Sequence, residues 1–213
     1  MIYHLNYCLN FRDASTYVSS FAMERIYRSA ALCMLPDQAH SRSLCQEYRI
    51  ATIIDLRAER EVIEQPYRHG VLEGVHYISI PFDPWKQPEW FKQSEFHTGS
   101  GNEIAYRYFI VGCREQVRQA LLAILRNPGA VLIHCVYGKD RTGCIIAILA
   151  LLTGAGIEEI VQDYLASAQD TQAELILMAL ALIAAEGGIE SYLRACGLSI
   201  EEIRDVRFKI QRR

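Results

Sequence analysis

The pattern of apolar and polar positions first indicates a set of short strands. The runs at 50–56, 75–82 and 130–133 are rich in β-branched residues and are bounded by polar or glycine-containing stretches. Sheet strands have this length and composition, so all three are predicted as strands. Residues 26–29 are predicted as a further strand at the edge of the sheet.

Helical spacing of apolar residues separates and follows these strands. It occurs at 41–48 and at 104–126, and Asn-Pro-Gly at 127–129 is a stop signal before the next strand. After residue 143 the pattern is almost entirely helical. This order predicts an α/β fold in which a central sheet is flanked by helices and the C-terminal half is helical.

Residues 84–102 form the least regular segment. It contains four aromatic residues, Trp85, Trp90, Phe91 and Phe96. Long loops with aromatic side chains often serve as lids or walls of a binding site. A surface loop whose aromatic side chains pack inward fits the same residues, and both interpretations stay open.

Length and charge fit a single globular enzyme domain over residues 1–213. The chain has 213 residues, 51% of them apolar, and can bury a full hydrophobic core. Its formal net charge is −3, and it has no dense block of lysine and arginine. This balance argues against nucleic-acid binding and against permanent membrane attachment. The oligomeric state stays open.

Targeting and redox signals favour the cytoplasm. The start of the chain lacks the basic and apolar regions of a signal peptide, and the apolar runs at 144–152 and 175–185 are too short to span a bilayer. Seven irregularly spaced cysteines favour a reducing compartment with free thiols. We expect a cytoplasmic protein whose two apolar runs are core helices, although secretion by a non-classical route would leave no trace.

The most informative segment is HCVYGKDRTG at residues 134–143, between a predicted strand and a predicted helix. A loop of this length can curl so that its N–H groups point inward, and the helix N-terminus adds unpaired donors and a positive dipole end. A phosphate fits in this ring. The residues predicted to bind it are Val136, Tyr137, Gly138, Lys139, Asp140 and Arg141.

Cys135 and Arg141 have the chemistry of a nucleophile and a transition-state clamp. Inward donors also stabilise a thiolate, so Cys135 is expected to attack phosphorus at neutral pH. Arg141 can donate two parallel bonds to phosphate oxygens, which a lysine cannot match. A buried core cysteine would not explain the residues that follow, and no second cysteine or histidine cluster completes a zinc site. We predict a site without metal or organic cofactor.

Other loop residues are predicted to support these two. Thr142 can donate its hydroxyl to the sulfur, and His134 is expected to orient the loop by hydrogen bonds. Gly138 permits torsions that a residue with a Cβ resists. Lys139 adds charge that favours dianionic or multiply phosphorylated substrates, and Tyr137 lines the mouth.

The loop resembles that of the cysteine-based protein tyrosine phosphatases. The form HCxxGKDRTG is similar to an atypical, mostly microbial branch with tyrosine, dual-specificity and sometimes phosphoinositide phosphatase activity, which implies a protein tyrosine phosphatase-like fold. Ala14 and Ser15 stand where that family usually has glycines. The resemblance covers almost the whole chain, through the segments NFRD at 10–13, IYRSAAL at 26–32, IIDLRAEREV at 53–62, DYLAS at 163–167 and GGIESYLRACGLSIEEI at 187–203.

Two aspartates are candidates for the general acid that protonates the leaving oxygen. Asp83 follows the run at 75–82, where the resemblance places a mobile acid loop, although its separation from Cys135 along the chain is long. Asp140 lies in the loop, and the resemblance implies a catalytic role for it. The alternative for Asp140 is a structural carboxylate that holds the loop or Lys139.

Charged residues outside the loop are expected to support it from behind. Asp55 and Arg57 end a predicted strand and can form a charged, hydrogen-bonded network with Glu61. The same role is expected of three residues nearer the N-terminus, Arg12, Asp13 and Arg28.

These observations predict a cysteine-dependent phosphatase that forms a phosphocysteine intermediate. Its expected substrates are phosphotyrosine in proteins, with phosphoserine, phosphothreonine and phosphoinositides left open. A catalytically silent phosphate-binding module is the alternative, against which the intact Cys135 and Arg141 count. Sulfur-transferring and arsenate-reducing enzymes also carry a cysteine in an anion-binding loop, but they lack the HC and RTG flanks found here.

Overall fold

The computed structural model describes residues 9–35, 38–67, 72–167 and 170–212, and its centre is a five-stranded sheet. The strands are β1 (Arg12–Asp13), β2 (Ile26–Ser29), β3 (Ile50–Asp55), β4 (His76–Ser79) and β5 (Ala130–His134). Their order is β1-β2-β5-β3-β4, with β1 antiparallel to β2 and the other neighbours parallel. The carboxyl ends of β2, β5 and β3 therefore meet at one edge, where open α/β sheets bind their ligands.

Helices pack around this sheet and make up the described chain after β5. Their bounds are α1 (Gln38–Glu47), α2 (Glu59–Glu64), α3 (Glu89–Lys92), α4 (Gly101–Arg107), α5 (Arg114–Arg126), α6 (Asp140–Leu152), α7 (Ile157–Leu165), α8 (Ala173–Ala185), α9 (Ile189–Ala195) and α10 (Ile200–Ile210). The predicted α/β class, with a central sheet and a helical C-terminal half, is confirmed.

Alternating side chains of the central strands fill two hydrophobic clusters. In β5, Val131 and Ile133 belong to the larger cluster, which contains the buried faces of α5 and α6. Leu132 belongs to the second cluster, together with Leu44 of α1. All five residues of β5 are buried, as expected for a parallel strand covered on both faces. The loop after β5 thus starts from a fully packed support.

The strand β2 lies inside the sheet, so its prediction as an edge strand is wrong. β1 covers its outer side, with Arg12 opposite Arg28. A strand of two residues carries no periodicity, so this pairing has no signal in the sequence. The Asp13 side chain accepts a hydrogen bond from Ser15 N at 2.9 Å and begins a 3₁₀ turn at Ala14–Thr16, so the chain turns here without glycine.

The prediction of one helix over 104–126 is also wrong. A π-helical turn, Tyr108–Gly112, separates α4 from α5. The Tyr108 ring lies so close to Gly112 that a Cβ there would be 2.2 Å from a ring carbon. The wide turn therefore depends on a glycine that helical periodicity does not register.

The segment 84–102 is anchored in the core but exposes two aromatic side chains. Phe91 of α3 is fully buried and lies edge-on to Tyr108, with ring centroids 4.9 Å apart. Trp85 and Trp90 are each 54% exposed. The segment thus shares features of both interpretations, and its role as a lid stays a prediction.

The two apolar runs of the sequence lie in α6 and α8. Both helices contribute buried side chains to the larger hydrophobic cluster, which confirms them as core helices. Among the described helices, none has both the length and the apolar character needed to cross a bilayer.

Candidate active site

The HCVYGKDRTG loop connects the carboxyl end of β5 to the N-terminus of α6. In the sheet register, His134 lies beside Ser29 of β2 and Asp55 of β3. Leu56 N donates to the His134 carbonyl at 2.8 Å. The start of the loop is therefore fixed to strands on both sides.

Three successive carbonyls of the loop are held pointing outward. The donors are Ala31 N to Val136 O at 2.9 Å, Asn10 Nδ2 to Tyr137 O at 2.6 Å, and Arg28 Nη2 to Gly138 O at 2.7 Å. The backbone N–H groups of residues 136–140 donate to no described group. Since the carbonyl of one residue and the N–H of the next point in opposite directions, the outward carbonyls of residues 136–138 turn the N–H groups of residues 137–139 toward the inside of the loop. The result is a cradle for an anion.

Gly138 is required by the close approach of the loop to β2. It has a φ of +67°, and a Cβ there would lie 2.2 Å from Ser29 O. Any other residue would clash with backbone that cannot move independently of the sheet. The loop can therefore lie against β2 only with glycine at this position.

Arg141 is held by a carboxylate that sequence reasoning placed elsewhere. Its Nη1 and Nη2 donate to the two carboxylate oxygens of Glu61 at 2.5 and 2.9 Å. Glu61 Oε2 also accepts from Ala58 N at 2.7 Å, in the first turn of α2. Burial disfavours a charge on Arg141, but the bonds to Glu61 outweigh it and raise its pKa. We expected Glu61 behind the loop, whereas it orients the guanidinium directly.

Cys135 and His134 lie in the interior at the floor of the loop. Cys135 is only 2% exposed. His134 Nδ1 lies 3.0 Å from Cys135 O, and His134 Nε2 lies 2.6 Å from Tyr67 OH. A carbonyl only accepts, so we assign the proton to Nδ1, and Nε2 then accepts from the tyrosine. Burial lowers the pKa of His134, in accord with a neutral ring that orients the loop.

Asp55 and Arg57 form a buried ion pair behind His134. Arg57 Nη2 donates to Asp55 Oδ2 at 2.7 Å, and Tyr77 OH donates to the same oxygen at 2.8 Å. His134 Nε2 lies 3.7 Å from Asp55 Oδ1. Burial opposes ionisation of Asp55, but the hydrogen bonds and the charge of Arg57 lower its pKa overall. These residues thus lie beside His134 at the start of the loop.

A second buried network lies below the middle of the loop. Asp163 of α7 accepts from Arg28 and, at 3.0 Å, from Arg12 Nε, and both arginines also donate to Ser167. Burial and the neighbouring Arg28 lower the pKa of Arg12 to about 10. Asp163 is the first residue of the DYLAS stretch. The sequence alone indicated no role for its carboxylate. The tertiary structure makes it the shared acceptor for the two supporting arginines.

Asp140 lies at the start of α6, with its side chain 36% exposed. Its Oδ1 accepts from Tyr106 OH at 2.6 Å and lies 3.8 Å from Lys139 Nζ. Tyr106 OH in turn lies 2.7 Å from Tyr164 OH. Sequence reasoning gave these two tyrosines no role, although Tyr164 lies in the DYLAS stretch, because no spacing rule connects α4 and α7 to the loop.

Asp83 lies in the turn after β4. Its Oδ1 accepts from Trp85 N at 2.9 Å, which closes a local turn. Its charge raises the pKa of Cys113 and of Tyr108, after the larger effect of burial on both. Asp83 therefore lies near the π turn, and the structure shows no hydrogen bond from it to the phosphate loop.

Thr142 follows Arg141 in the first turn of α6. The Thr142 hydroxyl is buried and has no hydrogen-bond partner among the described residues. The six described cysteines are free thiols. In the same described ranges, no cluster of histidine, cysteine or carboxylate side chains is arranged to hold a metal ion.

The strand, the loop and the helix define the class of a cysteine-based phosphatase. A tyrosine phosphatase family model matches residues 3–177. The chain belongs to the tyrosine phosphatase family, and the resemblance of its motifs is confirmed.

Named relatives agree with this assignment. The chain is 28% identical to triple specificity protein phosphatase PtpB of Mycobacterium tuberculosis, over 74% of this chain and 66% of the relative, so it spans slightly less than two thirds of that protein. It is 30% identical to a tyrosine-protein phosphatase of Nostoc commune, over 93% of this chain and 78% of the relative. The structure of the Siw14 catalytic core is similar in fold, with 21% identity, a TM-score of 0.50, and coverage of 94% of this chain and 90% of that chain.

Proposed function

We propose that this chain hydrolyses phosphotyrosine in proteins through a phosphocysteine intermediate, and that its substrates include phosphoserine, phosphothreonine and phosphoinositides. The observation that carries the proposal is the loop of outward carbonyls and inward N–H groups, with Cys135 at one end and Arg141 at the other. Such a loop binds a phosphate dianion and stabilises the charge of its transition state.

In the first step, the Cys135 thiolate attacks phosphorus, and the bond from phosphorus to the leaving oxygen breaks. The N–H groups of residues 136–140 and Arg141 hold the three remaining phosphoryl oxygens. Glu61 occupies two of the five N–H donors of Arg141, so three remain for substrate. The carboxylate fixes the guanidinium before substrate arrives, which saves its reorganisation during the reaction.

We assign the general acid to Asp140. It protonates the leaving oxygen from within the loop that binds the phosphoryl group, and its partly exposed side chain can reach a bound ester. The competing Asp83 accepts a hydrogen bond from Trp85 N in its own turn and lies outside the loop that binds the phosphoryl group. Asp140 therefore has the better support.

In the second step, water attacks phosphorus and the bond to Cys135 sulfur breaks. Asp140, now a carboxylate, accepts a proton from the water. The unpartnered Thr142 hydroxyl can donate to the departing sulfur. Inorganic phosphate leaves, and the thiolate and the acid are restored.

Phosphate release tests this function. We expect the wild type to release phosphate from a phosphotyrosyl peptide and from at least one phosphoinositide in the presence of a metal chelator. Cys135→Ser should abolish turnover and keep phosphate-ester binding, because the loop donors remain. Full activity of this variant would refute the mechanism, and phosphate binding by a wild type without turnover would identify a silent binding module.

A further inference from the structure

Two buried tyrosines, one on α4 and one on α7, lie beside Asp140 at the end of the loop. Tyr106 of α4 is 2% exposed and Tyr164 of α7 is 1% exposed. Their hydroxyls form a chain that ends on Asp140 Oδ1, with oxygen separations of 2.7 and 2.6 Å. Their rings meet edge-on, with centroids 6.3 Å apart. Core packing would need only the rings, so the aligned hydroxyls call for a separate explanation.

The number of hydroxyl protons determines which group donates each of these two hydrogen bonds. Tyr106 has one hydroxyl proton and donates it to Asp140 Oδ1. The bond between the two tyrosines must then be donated by Tyr164 and accepted by Tyr106. Burial raises the pKa of Tyr164 to about 12 and raises that of Tyr106 further, so both hydroxyls stay protonated and act as donors. They orient the carboxylate and do not relay protons.

The two oxygens of Asp140 therefore have different surroundings. Oδ1 accepts from Tyr106 and faces Lys139 Nζ at 3.8 Å. Oδ2 makes no hydrogen bond to the described residues. Arg141 and Cys144, which follow in α6, also interact electrostatically with this carboxylate. A proton on Oδ1 would displace the tyrosine donor, whereas a proton on Oδ2 displaces no bond.

We propose that Tyr106, held by Tyr164, is a positioning residue that keeps Asp140 Oδ1 as an acceptor and so directs the acidic proton to Oδ2, toward the leaving oxygen. This inference rests on the proposed function, specifically on Asp140 as the general acid. It adds Tyr106 and Tyr164 to the proposed mechanism and specifies which oxygen of Asp140 carries the acidic proton.

The test compares leaving groups in Tyr106→Phe, which keeps the ring and removes the hydroxyl. Phenyl phosphate needs a proton on its leaving oxygen, whereas p-nitrophenyl phosphate has an acidic phenol and needs much less help. We expect kcat/KM, which reports the step in which the leaving oxygen departs, to fall about tenfold for phenyl phosphate and less than about threefold for p-nitrophenyl phosphate. Tyr164→Phe should give the same pattern more weakly.

Tyr192→Phe is the matched control. Tyr192 is also fully buried, and its hydroxyl donates to Ile110 O at 2.9 Å, away from Asp140. Removing this hydroxyl should affect both substrates equally. If Tyr106→Phe also slows both equally, the tyrosine is only structural and the inference is wrong.

Asp140→Asn separates failure of the inference from failure of its basis. It should show a larger selective loss with phenyl phosphate than Tyr106→Phe. If Asp140→Asn is selective and Tyr106→Phe is not, only the positioning role is refuted. If Asp140→Asn itself shows no selectivity, the acid assignment and the positioning role both fail, while dependence on Cys135 would still support the phosphatase.

Discussion

At the scale of single residues, the proposed role of Arg141 depends on how its guanidinium is held. A free arginine side chain samples many rotamers, and fixing it when substrate binds costs free energy. The two hydrogen bonds from Arg141 to Glu61 already fix this side chain in the folded protein, before substrate binds. Burial raises the pKa of Glu61, but the bonds from Arg141 lower it overall, so the pair stays ionised at neutral pH.

Glu61→Gln should therefore lower kcat about tenfold and change KM for an aryl phosphate less, because the amide can accept only one of the two bonds. Steady-state kinetics on p-nitrophenyl phosphate measures this effect, since that substrate depends much less on the acid. Glu59→Gln is a control on the same helix, because Glu59 is exposed and pairs only with Lys86 in the described chain. Equal rates for the two variants would contradict the role of Glu61.

At the scale of secondary-structure elements, β1, β2 and α7 are joined below the loop by one carboxylate. Asp163 is 2% exposed and Arg28 is fully buried, so neither charge has access to bulk water. The same Arg28 donates to Gly138 O and so transmits the position of α7 to the loop. The network couples local stability to the shape of the phosphate cradle.

Asp163→Asn should cost about 3–5 kcal/mol of unfolding free energy, because it leaves a buried arginine without its counter-ion. Urea denaturation followed by circular dichroism measures the loss. Asp205→Asn, at an exposed ion pair with Arg204, should stay within about 0.5 kcal/mol of wild type. A similarly small change in Asp163→Asn would show that the network does not stabilise the fold.

At the scale of the whole molecule, the buried groups of the site make stability fall on acidification. Burial lowers the pKa of His134 relative to the unfolded chain, so protonation of this residue favours unfolding. Its contribution is complete above about pH 6.5 and is lost as the pH falls below that value. Asp55 and Glu61 have lowered pKa values and add losses in the same direction below about pH 4.3.

Urea denaturation between pH 7.5 and about pH 5 should isolate the histidine contribution, since the carboxylates are still mostly ionised there. We expect the unfolding free energy to fall by up to about 1.4 kcal/mol per pH unit in the wild type. In His134→Asn, which keeps a donor near Nδ1, this slope should be smaller. Parallel slopes in both proteins would rule out a buried neutral histidine as the cause.

The local pattern of residues along the sequence was sufficient to predict the class of the fold and to identify the loop as a phosphate-binding one. Periods of two and of about 3.6 residues identify strands and helices, and the loop residues are contiguous, so their chemistry can be recognised without a structure. The two errors in the elements also have local causes. β1 is too short to show a period, and the turn at Tyr108–Gly112 keeps its residues as buried as a regular helix would.

Only the tertiary structure determined what surrounds the loop. Glu61 is 80 positions from Arg141, and Asp163 is 135 positions from Arg28, so no spacing rule connects them. Tyr106 and Tyr164 meet at Asp140 because α4, α6 and α7 pack together. A tyrosine at a buried helix position indicates that its ring is packed in the core, but the sequence pattern does not show which group its hydroxyl contacts. Sequence patterns record which residues are buried, whereas the choice of partner for each buried polar group is made by packing between distant elements.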